Sequence, residues 1–170
     1  MKLLLLSFAF LFSVASAAQK ITIQEDQTKI YFTFPDQDVE GELSDFKFTG
    51  AIDLNTIEAA VISGSAATET LDTDNWFRDR HLRSKKYFSA KAHPLLYFKS
   101  NRIASTNSGF RVSGQLTIKG ITQNCIWNFT IQENNLIGTA HINTHDYNIK
   151  VYDEQSRNNV SIKIVLPYTK

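Results

Sequence analysis

The 170-residue sequence contains one cysteine, one methionine, three prolines and seven glycines. A lone Cys125 excludes an intrachain disulfide framework and any multi-cysteine zinc site. With so little proline and glycine there is no linker to divide the chain. No internal repeat or low-complexity tract occurs either, so one domain with a sizeable core is expected. Charge of a single sign is also missing. The balance of 18 Lys+Arg to 17 Asp+Glu argues against a nucleic-acid partner, which calls for a basic face or tract. There is no Gly-x-Ser-x-Gly elbow, phosphate loop or paired-glycine fingerprint. What is abundant is aromatic: twelve Phe, six Tyr and two Trp, a load suited to lining an apolar interior.

The first segment has the marks of a cleaved secretory signal. Lys2 supplies a positive start, residues 3–14 are apolar apart from Ser7 and Ser13, and Ala15-Ser16-Ala17 places small residues at both specificity positions. The apolar run is shorter than the roughly 20 residues a bilayer span needs, which disfavours a transmembrane anchor. Removing 17 of the 170 residues leaves 153, evenly balanced in charge. Residues 1–17 are therefore expected to be a leader, residues 18–170 one barrel domain, and the destination the periplasm or the medium. No later segment is long and apolar enough to span a membrane.

The remainder alternates with period two. Ile30, Phe32 and Phe34 alternate with Lys29, Tyr31 and Thr33. Phe46, Phe48, Gly50, Ile52 and Leu54 share one face of a second run. The same pattern recurs through Phe110–Lys119, Cys125–Ile131 and Val160–Leu166. Such repetition predicts antiparallel strands with one apolar and one wetted face. Less regular runs at 57–67, 95–103 and 136–144, with 21–24, bring the count to eight or nine. Turn signals separate them: Asp36-Gln37-Asp38, residues 105–109, Lys119-Gly120, Glu133-Asn134-Asn135 and Arg157-Asn158-Asn159. Consecutive strands joined by short turns predict a single-domain barrel or sandwich.

Residues 71–92 break the alternation. Asp72 to Asn75 offer N-caps ahead of a short helix beginning near Trp76, and Pro94 stops any helix before the next strand. Helical spacing groups Trp76, Phe77, Arg80 and Leu82 on one side and Arg78, Asp79 and Arg83 on the other. This helix is expected to cross a barrel mouth. The basic residues Arg78, Arg80, Arg83, Lys85 and Lys86 could meet a pyrophosphate head group or an anionic membrane surface, or form a solvated face bridged to Asp72, Asp74 and Asp79.

The chemistry-bearing residues each have a plainer reading. His141 and His145 fall in or beside a strand, where four residues span about 13 Å, too far for one ion; no metal is expected. His81 beside Asp79 could serve an acid–base role or contact a head group, or simply brace the helix. Cys125 lies on the apolar face with Trp127, as a buried inert thiol.

Several of these stretches are similar to one family. Asp79-Arg80-His81-Leu82-Arg83-Ser84-Lys85-Lys86-Tyr87-Phe88 is followed by His93-Pro94 and Tyr97-Phe98-Lys99-Ser100. Downstream comes the stretch Val112-Ser113-Gly114-Gln115-Leu116-Thr117-Ile118-Lys119-Gly120-Ile121-Thr122. In that order they closely resemble the YceI family, over roughly residues 20–166. Where that family usually carries an arginine and a glycine late in the chain, this sequence has His145 and Asn148. The resemblance implies an all-β, eight-stranded antiparallel, lipocalin-like barrel with one short helix near its mouth. It also implies non-enzymatic binding, transport or storage of a polyisoprenoid or similar long-chain amphiphile, with that lipid as ligand and no cofactor. On this reading Phe32, Phe34, Phe46, Phe48, Ile52, Trp76, Phe77, Leu82, Phe88, Phe98, Leu116, Trp127 and Phe129 line the lumen or mouth. Arg78, Arg80, His81 and His145 are the candidates for head-group contact. Transient membrane contact and a homodimer complete the expected partners. The alternatives are a small barrel enzyme using His81 and Asp79, or an interaction scaffold whose core is filled.

Overall fold

The computed structural model describes residues 19–170; the expected leader, residues 1–17, lies outside the described residues. The described residues form eleven strands: β1 (Lys20–Ile23), β2 (Lys29–Phe34), β3 (Val39–Leu43), β4 (Lys47–Thr49), β5 (Ile52–Asp53), β6 (Ser63–Ala67), β7 (Leu95–Thr106), β8 (Gly109–Ile118), β9 (Ile121–Gln132), β10 (Asn135–Asn143) and β11 (Asn159–Thr169). Helix α1 (Trp76–Leu82) lies between β6 and β7. The period-two reading is met along β8, where Phe110, Val112, Leu116 and Ile118 are buried while Arg111 and Gln115 are exposed.

Every pairing is antiparallel, and the ladder runs β3-β2-β11-β10-β9-β8-β7-β6-β4. Its two ends, β3 and β4, are consecutive in the chain. Taken as halves of one interrupted stave, they reduce the ring to the eight expected. The seam between them is closed by the chain and by scattered hydrogen bonds. Glu42 and Asp72 exchange backbone bonds at 2.8 and 3.0 Å, and the Ala67 amide donates to the Ser44 carbonyl at 3.4 Å. Glycine at position 41 is required there, because a Cβ would stand 2.3 Å from the Phe32 ring and 2.5 Å from the Asp72 carbonyl. β1 pairs with β11 and carries β5 on its other side, off the main ring.

Three runs differ from expectation. The single strand expected over 46–54 is broken into β4 and β5. Gly50 adopts φ +140° between them, and its α-carbon sits so close to Val61 that a Cβ would lie 2.6 Å from that carbonyl. Within 57–67 only Ser63–Ala67 is strand; Ile57–Ala59 is a 3-10 turn that buries Ile57. β3 adds a strand to those counted from the period-two runs, with Val39, Gly41 and Leu43 alternating with Glu40 and Glu42. Along β7 a bulge between Ser100 and Arg102 shifts the inward phase, so that both Ser100 and Ile103 are buried. Ser100 then closes onto the chain ahead of β6, its hydroxyl accepting from the Ile62 amide and its own amide donating to the Ile62 carbonyl, both at 2.9 Å.

The interior aromatics form one continuous row. Phe110 stacks on Phe129 at 5.1 Å between centroids, Phe129 on Trp127 at 6.1 Å, and Phe98 meets Trp127 edge-on at 6.3 Å.

Candidate ligand cavity

Two adjoining voids occupy the interior. The inner one, about 120 Å³, is walled by the expected Phe46, Phe48, Phe98, Leu116, Trp127 and Phe129, together with Ile30, Ala66, Ile164 and Leu166. Its polar lining is confined to Ser63, Ser65 and Tyr97. The outer one, about 260 Å³, is walled by the expected Phe32, Phe34, Leu82 and Phe88, with Leu71, Tyr87, Ile142, Ile149 and Val160. Four side chains belong to both walls: Leu43, Leu96, Ile118 and Ile162. They form a collar between the lobes. Sequence reasoning centred on aromatics did not select these four, although Ile118 and Ile162 lie on runs already assigned an apolar face.

The outer lobe has a polar margin. Gln37, Arg78, His81 and Thr144, along with Tyr87, are the wall residues that carry polar side-chain atoms. An apolar chamber with a few polar groups at one end is the usual make-up of a small-molecule site. Arg78 and His81 were expected near a head group; Gln37 and Thr144 were not, because neither residue type stands out in a turn sequence.

The mouth helix is built as its sequence suggests at its start. The Asn75 side chain accepts from the Arg78 amide at 3.1 Å, capping α1. Its buried side, however, differs from expectation. Asp79, grouped with Arg78 and Arg83 on the side opposite Trp76 and Phe77, is buried, and one carboxylate oxygen accepts from the Thr73 amide at 2.9 Å and the Thr73 hydroxyl at 2.5 Å. Arg78 reaches the same residue, donating from Nε to the Thr73 hydroxyl at 2.8 Å and from its terminal nitrogen to the Thr73 carbonyl at 2.6 Å. Arg83 donates twice to the Leu71 carbonyl, at 3.2 and 2.5 Å. These bonds lash α1 to residues 71–73 and set its rotation. As a result Trp76 and Phe77 face outward, 63% and 78% exposed, and line neither lobe. Arg80 is also absent from the wall; its guanidinium lies 5.5 Å from the Trp76 ring centroid. His81 packs edge-on against Tyr87 at 4.8 Å.

Two further expected contacts fall elsewhere. Ile52 is buried but sits on β5, which pairs with β1 off the main ring, so it packs in the core outside both lobes. His145 lies in the 3-10 turn Thr144–Tyr147, where its amide donates to the Asn143 side chain at 3.0 Å, and it too is outside the walls. The turn ends on Asn148 at φ +56°, a left-handed position that asparagine tolerates and glycine favours. The turn residue Tyr147 is fully buried, which pushes its hydroxyl well above the usual phenol range.

The outer rim is held by polar clamps. Asn158, with no exposed surface, accepts from the Val151 and Tyr152 amides at 2.9 and 3.1 Å and donates to the Tyr152 and Glu154 carbonyls at 2.9 and 2.7 Å. Lys119 donates to the Lys86 carbonyl at 2.9 Å and the Asn148 carbonyl at 3.1 Å, joining the loop after α1 to the loop after β10. Partial burial holds its ammonium below the usual lysine range. Cys125 is buried within the ring, and burial pushes its thiol up to about 11.

Comparison with known proteins agrees with this architecture. The YceI-like domain pattern matches residues 21–167. A UPF0312 protein of Pectobacterium atrosepticum is 30% identical over 83 residues, 49% of this chain and 43% of that protein. One from Photorhabdus laumondii is 31% identical over 88 residues, 52% and 46% of the two chains. The chain thus spans under half the length of these curated relatives. Among solved structures, Burkholderia cenocepacia BcnA superposes with a TM-score of 0.72 at 18% identity, covering 88% of this chain and all of that one. A polyisoprenoid binding domain from Saccharophagus degradans superposes at 0.59 and 12% identity, covering 89% and 98%. At such identities these two similarities concern the fold. With the domain pattern spanning nearly every described residue, and the two motif stretches at Asp79–Phe88 and Val112–Thr122 in place, the chain belongs to the YceI-like domain family.

Proposed function

We propose that this protein binds one long-chain amphiphile, of polyisoprenoid or similar type, with its tail in the inner lobe and its head at the outer rim. The carrying observation is the pair of adjoining voids with a polarity gradient: almost wholly apolar inside, with Gln37, Arg78, His81 and Thr144 at the outer end. A filled scaffold has no use for such space. A tail burying about 400 Å² of apolar surface gains roughly 10 kcal/mol gross. Association costs of several kcal/mol leave about micromolar binding or somewhat better, an affinity that permits loading and release. The related fold of the Saccharophagus domain, described as polyisoprenoid binding, supports the ligand class.

Carriage without catalysis is the accompanying reading. Asp79 is committed to Thr73 and His81 rests on Tyr87, so the two do not form an acid–base pair. Periplasmic or secreted residence, following from the expected leader, is part of the same proposal. Organic extraction of the protein purified from its host, followed by mass spectrometry, is the test. A co-purified long-chain lipid is the expected result; empty protein that also refuses added polyprenols and isoprenoid quinones overturns the proposal.

A further inference from the structure

We propose that the α1 side of the mouth is a docking surface for an anionic lipid bilayer, which would present the outer lobe to the leaflet. Trp76 and Phe77 are neighbours on the first turn of α1 and carry the two most exposed large rings among the described residues. Their rings meet edge-on at 4.8 Å, forming one apolar projection. A soluble fold that leaves such a pair uncovered has no energetic reason to keep it there for packing. Aromatic rings of this kind are favoured at the headgroup level of membranes.

The charge beside the rings specifies the bilayer. Residues 72–91 carry Arg78, Arg80, Arg83, Lys85, Lys86 and Lys91 against Asp72, Asp74 and Asp79. Arg78 and Arg83 are spent on backbone carbonyls and Asp79 is buried. Arg80, Lys85, Lys86 and Lys91 remain exposed, Arg80 against the Trp76 ring itself. The other segments that wall the outer lobe, around Gln37, Thr144 and Val151, are acidic, with Asp36, Asp38, Asp146, Asp153 and Glu154 against Lys150 and Arg157. The exposed cations set the α1 side, rather than the acidic segments, toward an anionic surface. The same helix supplies Arg78, His81 and Leu82 to the outer lobe, so the docked face is continuous with the cavity wall. Docking rests on the rings and cations alone; only its use, passing a lipid between leaflet and cavity, rests on the carrier reading.

The test is co-sedimentation with vesicles of equal parts phosphatidylglycerol and phosphatidylcholine, against vesicles of phosphatidylcholine alone. The wild type is expected to bind the anionic vesicles and to lose binding as salt rises. Removing each cation, as in Lys85→Ala or Lys86→Ala, should weaken binding about fivefold, since one basic residue at an anionic surface contributes roughly that factor. Trp76→Ala with Phe77→Ala should weaken it about tenfold or more. A spectroscopic readout is built in, because the protein has two tryptophans and Trp127 is only 9% exposed. Brominated lipids should quench wild-type emission, and Trp76→Phe should remove that quenching. Equal binding by wild type and the double variant, or no binding to anionic vesicles, overturns the proposal. So does a wild-type dimer that the double variant dissolves while vesicle binding stays absent, since the rings then belong to a second copy. Polyprenol uptake from detergent-free solution separates the two readings: if docking alone is wrong, uptake survives; if the carrier reading alone is wrong, vesicle binding survives.

Discussion

Ala66→Leu distinguishes a ligand chamber from a packing defect by moving stability and binding in opposite directions. Ala66 is buried on β6, and its methyl borders the inner void of about 120 Å³. Leucine adds three carbons at that point. At about 0.8 kcal/mol per buried methylene the gross gain is roughly 2.4 kcal/mol, from which side-chain ordering removes about 0.5–1. The variant should therefore be more stable by about 1.5 kcal/mol, raising Tm by roughly 3–6 °C for a domain of this size. The same three carbons occupy space the tail is proposed to fill, so polyprenol affinity should fall about 30-fold or more. Thermal denaturation of the lipid-free protein and fluorescence titration with a polyprenol measure the two quantities. Raised stability with unaltered affinity would remove the inner lobe from the binding site. Lowered stability would mean that the void has no room for the added carbons, and the cavity description itself would fail.

Asn158→Ala should cost about 2–4 kcal/mol in chemical denaturation, because four backbone partners around a fully buried amide lose their bonds together; a loss under about 0.5 kcal/mol would show that water replaces them. Phe48→Asp places a carboxylate in the wall of the inner lobe and should abolish polyprenol uptake; retained uptake by a folded variant contradicts the lining. Burial raises the Cys125 thiol from 9.0 to about 11, and the sign of the pH effect follows: the neutral thiol's contribution is complete below about pH 9 and is lost as pH climbs through 11. Cys125→Ala should flatten that alkaline decline, and the wild-type thiol should resist alkylation at pH 8 until the protein unfolds. Rapid alkylation of the native protein would place Cys125 at the surface.

Much of the fold could be read directly from residue order. β2, β8, β9 and β11 are regular alternations whose inner and outer residues differ sharply in polarity, so period two locates them without reference to the rest of the chain. The Lys119-Gly120 turn and the Asn75 cap are equally local, since each depends on a few adjacent residues. The broken stave was harder. Phe46, Phe48, Gly50, Ile52 and Leu54 keep perfect alternation, and the interruption at Gly50 comes from Val61, which the alternation does not include.

Residue order by itself determined that this chain makes antiparallel strands with one greasy face, that a capped helix interrupts them, and that its motifs are those of one family. Tertiary structure decided how the sheet closes, where it stays hollow, and which way the helix turns. A void is whatever volume remains after side chains from distant strands have met, as at the collar of Leu43, Leu96, Ile118 and Ile162, and no local pattern encodes that remainder. The outward turn of Trp76 and Phe77 has the same origin: hydrophobic spacing would bury them, but Asp79, Arg78 and Arg83 bind the backbone and hydroxyl groups of residues 71–73 and hold the rings outside.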